Sequence, residues 1–241
     1  MTYVAPAQPG KIAHDGHQPK AEVPETTTDR PVRALFLADP GPFGMAALSL
    51  PLAALSWINI GMAKPTTIPV VLTTLLLYGG LGQFAVAMWE VLRGNMFGVV
   101  AFGTFGCFNL ALWYFFTYEM PKIPAAQQPA NLALFLGLWA IPAFILWIAS
   151  FRTTLVINLI FMFATALFAV AAWGNGASDA GLVKASGWIG IALAAVAWYG
   201  CAAALTSETF GHAILPNPHL GSRDASSAPR ARKHHLFATG H

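Results

Sequence analysis

Charge is what this chain has least of. Of its 241 residues only 10% are charged, where soluble domains average about 25%. Between residues 44 and 206 the charged side chains are Lys64, Glu90, Arg93, Glu119, Lys122, Arg152, Asp179 and Lys184, and each falls at a gap between apolar runs. The other absences narrow the chemistry. None of the seven histidines lies within an apolar run, so axial ligation of a haem inside a helix bundle is not expected. The two cysteines, Cys107 and Cys201, lie inside apolar runs and form no CxxC pair, which argues against both a disulfide framework and a metal site. No carboxylate stands at the centre of an apolar run, which argues against a pump or sodium site built on buried acids. No run is rich in arginine, and no Gly-rich loop ends in Lys-Ser or Lys-Thr, so neither a voltage sensor nor a nucleotide-phosphate cradle is expected. No nucleophile–base pair or metal-ligand cluster stands out, so the chain is not expected to be an enzyme, and no cofactor is implied.

What remains is apolar. Hydrophobic residues make up 56% of the chain, gathered into runs of about 20 residues, the length that crosses some 30 Å of hydrocarbon as a helix. Only a segment that closes its own backbone hydrogen bonds survives there, so the runs are helices. The expected fold is an all-α integral membrane protein with six transmembrane helices per protomer, near 44–62, 66–92, 96–118, 131–150, 153–173 and 185–206. The connections are short, and the longest, 120–130, carries Pro121, Pro124 and Pro129 and reads as a stiff surface loop. Two prolines within runs, Pro51 and Pro142, are candidate kinks.

Polar ends frame the runs. Residues 1–38 read as a disordered tail, 39–216 as the transmembrane domain and 217–241 as a flexible tail. Residues 1–33 hold no apolar stretch, so no cleavable signal is expected in them. The net charge is +3, but the basic residues sit beside spans, where they fix topology and meet anionic membrane lipid rather than nucleic acid. Ten of them fall on the tails and the two loops of the same side, three (Lys64, Lys122 and Lys184) on the other. The imbalance predicts cytoplasmic termini and a multi-pass protein of the cytoplasmic membrane.

The polar groups inside the runs are neutral: Ser49, Ser56, Asn59, Thr73, Thr74, Tyr78, Gln83, Thr104, Asn109, Asn158, Thr165 and Tyr199. Neutral donors along a bundle suit a small polar solute or weak anion, because they replace water without trapping the solute. A buried Ser or Thr more often bonds its own helix backbone. Gln83 and Asn109 cost more to bury, and are candidates for a pore or an interhelix contact. Asp39-Pro40-Gly41-Pro42-Phe43-Gly44-Met45 opens the first run. Its two prolines and two glycines are expected to prevent a regular helix before Phe43, and it reads either as a capped helix start or as an irregular entrance whose free N–H groups meet a permeating carboxylate. Glu90 and Arg93 share a helix face three residues apart, as an interfacial ion pair or a gating, proton-linked carboxylate.

These motifs resemble the acetate uptake transporter (AceTr) family, the group that includes succinate–acetate permeases. Its Asn-Pro-Ala-Pro-Leu-Gly-Leu block stands here as residues 39–45. Its YGG-x-x-Q…E…GN-T-FG pattern stands as Tyr78, Gly79, Gly80, Gln83, Glu90, Gly94, Asn95, Phe97 and Gly98. Further matches are Gly174-Asn175, Gly187-Trp188-Ile189-Gly190 and Glu208-Thr209-Phe210-Gly211. The resemblance implies six helices per protomer, a homo-hexamer with a path through each protomer, and movement of acetate, in some members succinate, often with protons. It also implies an apolar constriction of Phe, Tyr and Leu, which falls here on Leu48, Phe105 and Ala164. All three depart from the family residue. The opening Asn is Asp39, and the third-span aromatic after Phe108 is Asn109.

The expected function is therefore transport of acetate or a similar short monocarboxylate, succinate included, with Leu48, Phe105 and Ala164 as the constriction. Asp39, Pro40, Gly41, Pro42, Gly44, Tyr78, Gln83 and Asn109 are the candidate solute contacts. Two alternatives stand beside it: a channel for a neutral solute such as urea, an amide or ammonia, since no cation sits at a span centre to pair with an anion, and a membrane sensor or scaffold acting through its tails.

Overall fold

The structure is a computed structural model that describes residues 37–221. Six helices in it are long and apolar enough to cross a membrane: Gly41–Asn59, Pro65–Arg93, Met96–Lys122, Ala125–Ser150, Leu155–Gly176 and Ala180–Phe210. They are called the first to sixth spans. The expected tails lie mostly outside the described residues, as do most of the basic residues weighed for topology.

Local chemistry sets the span ends. Asn95 accepts from the Gly98 N–H, Thr154 from Ile157, and Asp179 from Gly181 and Leu182, the short polar caps that satisfy a helix's first free donors. Gly94 and Gly211 close the second and sixth spans at φ 69° and 73°, a left-handed conformation that glycine adopts without a Cβ penalty. The first span begins earlier than expected, since a regular helix does precede Phe43. Its helix starts at Gly41, with Pro42 in the first turn, the Gly44 N–H bonded to the Pro40 carbonyl and the Gly41 N–H bonded to Asp39. Proline tolerates a first turn because its missing donor is one the helix leaves free there.

The connection at 120–130 also differs from the expected loop. Met120–Lys122 and Ala125–Gln127 are single 3-10 turns, and a regular helix runs from Gln128. The prolines sit where such turns start, so they extend both spans instead of separating them. The second span is not uniform either. Its middle, Leu75–Gly82, is a π-helix between two α-helical segments.

Each span packs mainly on its neighbours in chain order, and the sixth returns to the first, so the helices form a ring. The contact between the third and fourth spans is thin along the backbone and is carried by rings, Phe108 against Trp139 and Phe115 stacked on Phe135. Polar side chains turn inward: Ser49, Gln83, Glu90, Asn109, Ser150, Asn158 and Ser186 are all buried, while many leucines, isoleucines and tryptophans are exposed. That inversion of a soluble protein's pattern suits an apolar surround.

Behind the sixth span the chain returns to the ring. The Pro218 carbonyl accepts from the Leu155 N–H at 2.9 Å, the Asn217 side chain from Val156 at 3.3 Å, and the Thr153 carbonyl from Leu220 at 2.9 Å. Residues 217–220 thus occupy free donors at the start of the fifth span.

Candidate functional site

Two cavities lie inside the ring. One, of about 300 Å³, sits at the end of the bundle where the first span begins and the sixth ends, bordered by Asp39, Glu90, Arg93, Asn95, Thr154 and Asn217. The other, of about 130 Å³, reaches toward the opposite end, bordered by Ser56, Asn59, Phe116, Leu132 and Asn175. One water needs about 10–15 Å³, so either holds a small hydrated solute. Among the described residues, Leu48 and Phe105 alone line both cavities. They are the septum between them, 9% and 5% exposed.

Ala164, the third expected constriction residue, is fully buried and borders only the smaller cavity. Its helix supplies the bulk from either side. Phe161 borders the larger cavity and lies 5.9 Å from the Phe105 ring; Phe168 borders the smaller one and stacks on Phe105 at 6.2 Å. Three and four residues from Ala164, both share its helix face. That spacing is legible in the sequence, yet neither phenylalanine was among the candidates.

Beside this apolar septum runs a chain of amides. Gln83 borders the larger cavity and Asn109 the smaller. Asn109 Nδ2 donates to Gln83 Oε1 at 2.9 Å, to the Phe105 carbonyl at 2.8 Å and to the Gly79 carbonyl at 3.3 Å. Gln83 Nε2 donates to the Gly44 carbonyl at 3.3 Å. The π-helical segment and its glycines make room for this. A Cβ on Gly79 would lie 2.9 Å from both Asn109 Cγ and Pro51 Cγ, so the second span comes this close only without a side chain there.

At the mouth of the larger cavity Arg93 Nη1 donates to Asp39 Oδ1 at 2.6 Å and to both Glu90 oxygens at 3.2 and 3.3 Å. The Glu90–Arg93 pair expected from the sequence is present, but it has a second acid. Glu90 is buried, whereas the Asp39 side chain is 59% exposed.

The remaining candidates separate. Asp39, Gly41 and Pro42 border the larger cavity; Pro40 and Gly44 do not, although Gly44 contributes its carbonyl to Gln83. Tyr78 borders neither cavity and packs edge-on against Phe43 at 5.4 Å. Ser49, Thr73, Thr74 and Thr165 each bond a carbonyl of their own helix. In the opening turn the Gly41 N–H is taken by Asp39 and the Gly44 N–H by the Pro40 carbonyl, and Pro40 and Pro42 have no N–H to offer.

The succinate–acetate/proton symporter SatP of Escherichia coli (strain K12) is 31% identical over 182 residues, covering 75% of this chain and 95% of that protein. Acetate permease A of Emericella nidulans is 31% identical over 204 residues, 78% of this chain and 68% of that one. Ammonia transport outward protein 2 of Saccharomyces cerevisiae is 28% identical over 193 residues, 78% of this chain and 68% of the relative. A solved structure of the bacterial acetate channel SatP superposes with a TM-score of 0.71 at 29% identity, covering 76% of this chain and 99% of that one. The profile of the GPR1/FUN34/yaaH family matches residues 24–222, and with a matching sequence, six membrane-spanning helices and the same fold, the chain belongs to that family.

Proposed function

We propose that this protein carries acetate, or a short monocarboxylate of similar size, across the cytoplasmic membrane through the two cavities of each protomer, with net movement linked to protons. The observation that carries the reading is the septum: two cavities that meet at Leu48 and Phe105 form a path interrupted at one narrow apolar place. Related proteins named for acetate and succinate transport support the substrate class. In this reading Leu48, Phe105 and Ala164 limit solute size, Gln83 and Asn109 contact the solute, and Glu90 with Arg93 and Asp39 forms the mouth. The protein acts as a transporter without a catalytic step. Its protomers assemble as a homo-hexamer in membrane lipid, with both termini on the cytoplasmic side, where the basic residues concentrate.

Uptake of labelled acetate into proteoliposomes holding the purified full chain, with and without an inward proton gradient, tests the proposal. Uptake above empty liposomes that rises with the gradient is the expected result. The absence of uptake at any gradient would remove acetate as the substrate.

A further inference from the structure

Five phenylalanine rings form one unbroken row between the third and fifth spans. Phe97 meets Phe161 at 5.6 Å, Phe161 meets Phe105 at 5.9 Å, Phe105 meets Phe168 at 6.2 Å, and Phe168 meets Phe108 at 4.9 Å. The rings come alternately from the third span (Phe97, Phe105, Phe108) and the fifth (Phe161, Phe168). Their order follows the path. Phe97 and Phe161 border the larger cavity, Phe105 borders both, and Phe168 and Phe108 border the smaller. The third and fifth spans are not neighbours in the ring of helices, so these side chains meet across its interior and not along a helix seam.

Phe105 stands at the middle of the row. Its side chain has no polar atom, so packing and not a hydrogen bond must fix its ring. Phe168 lies nearly parallel to it, with 17° between the planes, and Phe161 is tilted by 44°. Each flanking ring is braced edge-on in turn, Phe161 by Phe97 at 89° and Phe168 by Phe108 at 74°. Both flanking rings are buried. To turn out of the path toward either cavity, Phe105 has to displace a braced ring. The fifth span achieves this with one helix face. Phe161 and Phe168 are two turns apart, about 10.5 Å along the axis, which leaves the width of one ring between them. Ala164, between the two on that face, adds only a methyl.

From this we infer that Phe161 and Phe168 are positioning residues of the septum. They clamp the Phe105 ring from the two cavities and thereby set the largest solute that passes. The inference rests on the proposed path through both cavities. A Phe105 free to turn would yield to wider solutes. A clamped one admits a two-carbon monocarboxylate and holds back monocarboxylates with longer, substituted chains. Each clamp acts through Phe105, so vacating either side gives that ring somewhere to go.

The test measures uptake of labelled acetate and of two larger monocarboxylates, lactate and gluconate, into proteoliposomes of the full chain, corrected with matched empty liposomes. The readout is the ratio of each larger solute to acetate. Phe161→Ala and Phe168→Ala are each expected to raise it about tenfold, the effect of one lost aromatic contact and its bulk. Phe163→Ala, on the same helix but bordering neither cavity, is expected to leave it unchanged. In a Phe105→Ala background neither clamp variant should raise the ratio further, because the ring they hold is gone. With acetate uptake by the wild type intact, three results would overturn the clamp and leave the transport standing. These are a ratio unchanged in both variants, an equal rise in Phe163→Ala, or the full rise repeated in the Phe105→Ala background. A wild type that excludes all three solutes, beside clamp variants that admit lactate, would remove acetate as the substrate and leave the clamp. No uptake of any solute by any of these proteins would overturn both. Where an alanine variant does not run as a single species, the corresponding leucine variant keeps apolar bulk and loses only the flat ring. Its expected rise is about twofold, and no rise would overturn the clamp.

Discussion

Arg93 Nη1 reaches Asp39 Oδ1 at 2.6 Å and, through the same nitrogen, both oxygens of buried Glu90. One guanidinium thus joins the end of the second span to the start of the first. The two acids stand in different surroundings. Asp39 is largely exposed, and exposed ion pairs contribute about 0–1 kcal/mol. Glu90 is 1% exposed, and removing the partner of a buried charge costs about 3–5 kcal/mol.

Asp39→Asn is therefore expected to change thermal stability in detergent by no more than about 1 kcal/mol, and Arg93→Gln by several times that. Adding Glu90→Gln to Arg93→Gln should restore part of the loss, because the stranded charge goes with it. Equal melting temperatures for the two single variants would show that Arg93 does not hold Glu90.

Ala164 shares its helix face with Phe161 and Phe168 beside the septum and has no exposed surface. Ala164→Leu adds volume where none is free, at a cost of about 1–3 kcal/mol. It is expected to reduce flux of succinate more than that of acetate. Equal loss for both, or no change in either, would count against Ala164 limiting the path.

Phe105 borders both cavities and touches the rings of Phe161 and Phe168. Phe105→Ala is expected to join the cavities and to lower stability by about 3–5 kcal/mol, the usual result of deleting a buried phenylalanine. Uptake of solutes larger than acetate should then rise relative to acetate. An unchanged size preference, measured on protein that still runs as a single species, would place the barrier elsewhere.

Gly79→Ala tests the amide chain without altering either amide. The added methyl would sit 2.9 Å from Asn109 Cγ and Pro51 Cγ, closer than packed carbons approach, so either Asn109 or the second span must shift and their contact changes. Loss of acetate flux out of proportion to a destabilisation of about 1–3 kcal/mol is the expected result. Full flux in a folded variant would show that Asn109 tolerates displacement.

The spans were legible in the sequence because apolar length and the placement of charge are global signals. What was misread is local. The 39–45 turn looked irregular from its prolines and glycines, but Pro42 falls within the first helical turn, where a missing N–H costs nothing. The 120–130 segment looked like a loop for the same reason and is two helical turns. Gln83 and Asn109 stood out because burying an amide demands a reason. Their mutual bond did not, since it crosses between spans, and nothing within either run records the register of its neighbour. Ala164 was named by resemblance, whereas Phe161 and Phe168 needed the helix face to be drawn.

The π-helical stretch Leu75–Gly82 acts as a phase shift along the second span. An α-helix turns about 100° per residue, and a π-turn spends one residue more than an α-turn to cover the same rise. The two halves of the span are thereby set at different azimuths: Val71 is buried in the half before the stretch, and Gln83 and Glu90 border the larger cavity in the half after it. Rewinding this stretch to α geometry with every residue kept would turn its surplus length into rotation and swing the second half away from its present azimuth. Gln83 would leave Asn109 and Arg93 would leave Asp39 together, so the path's polar wall and its charged mouth are indexed to the winding of one short segment.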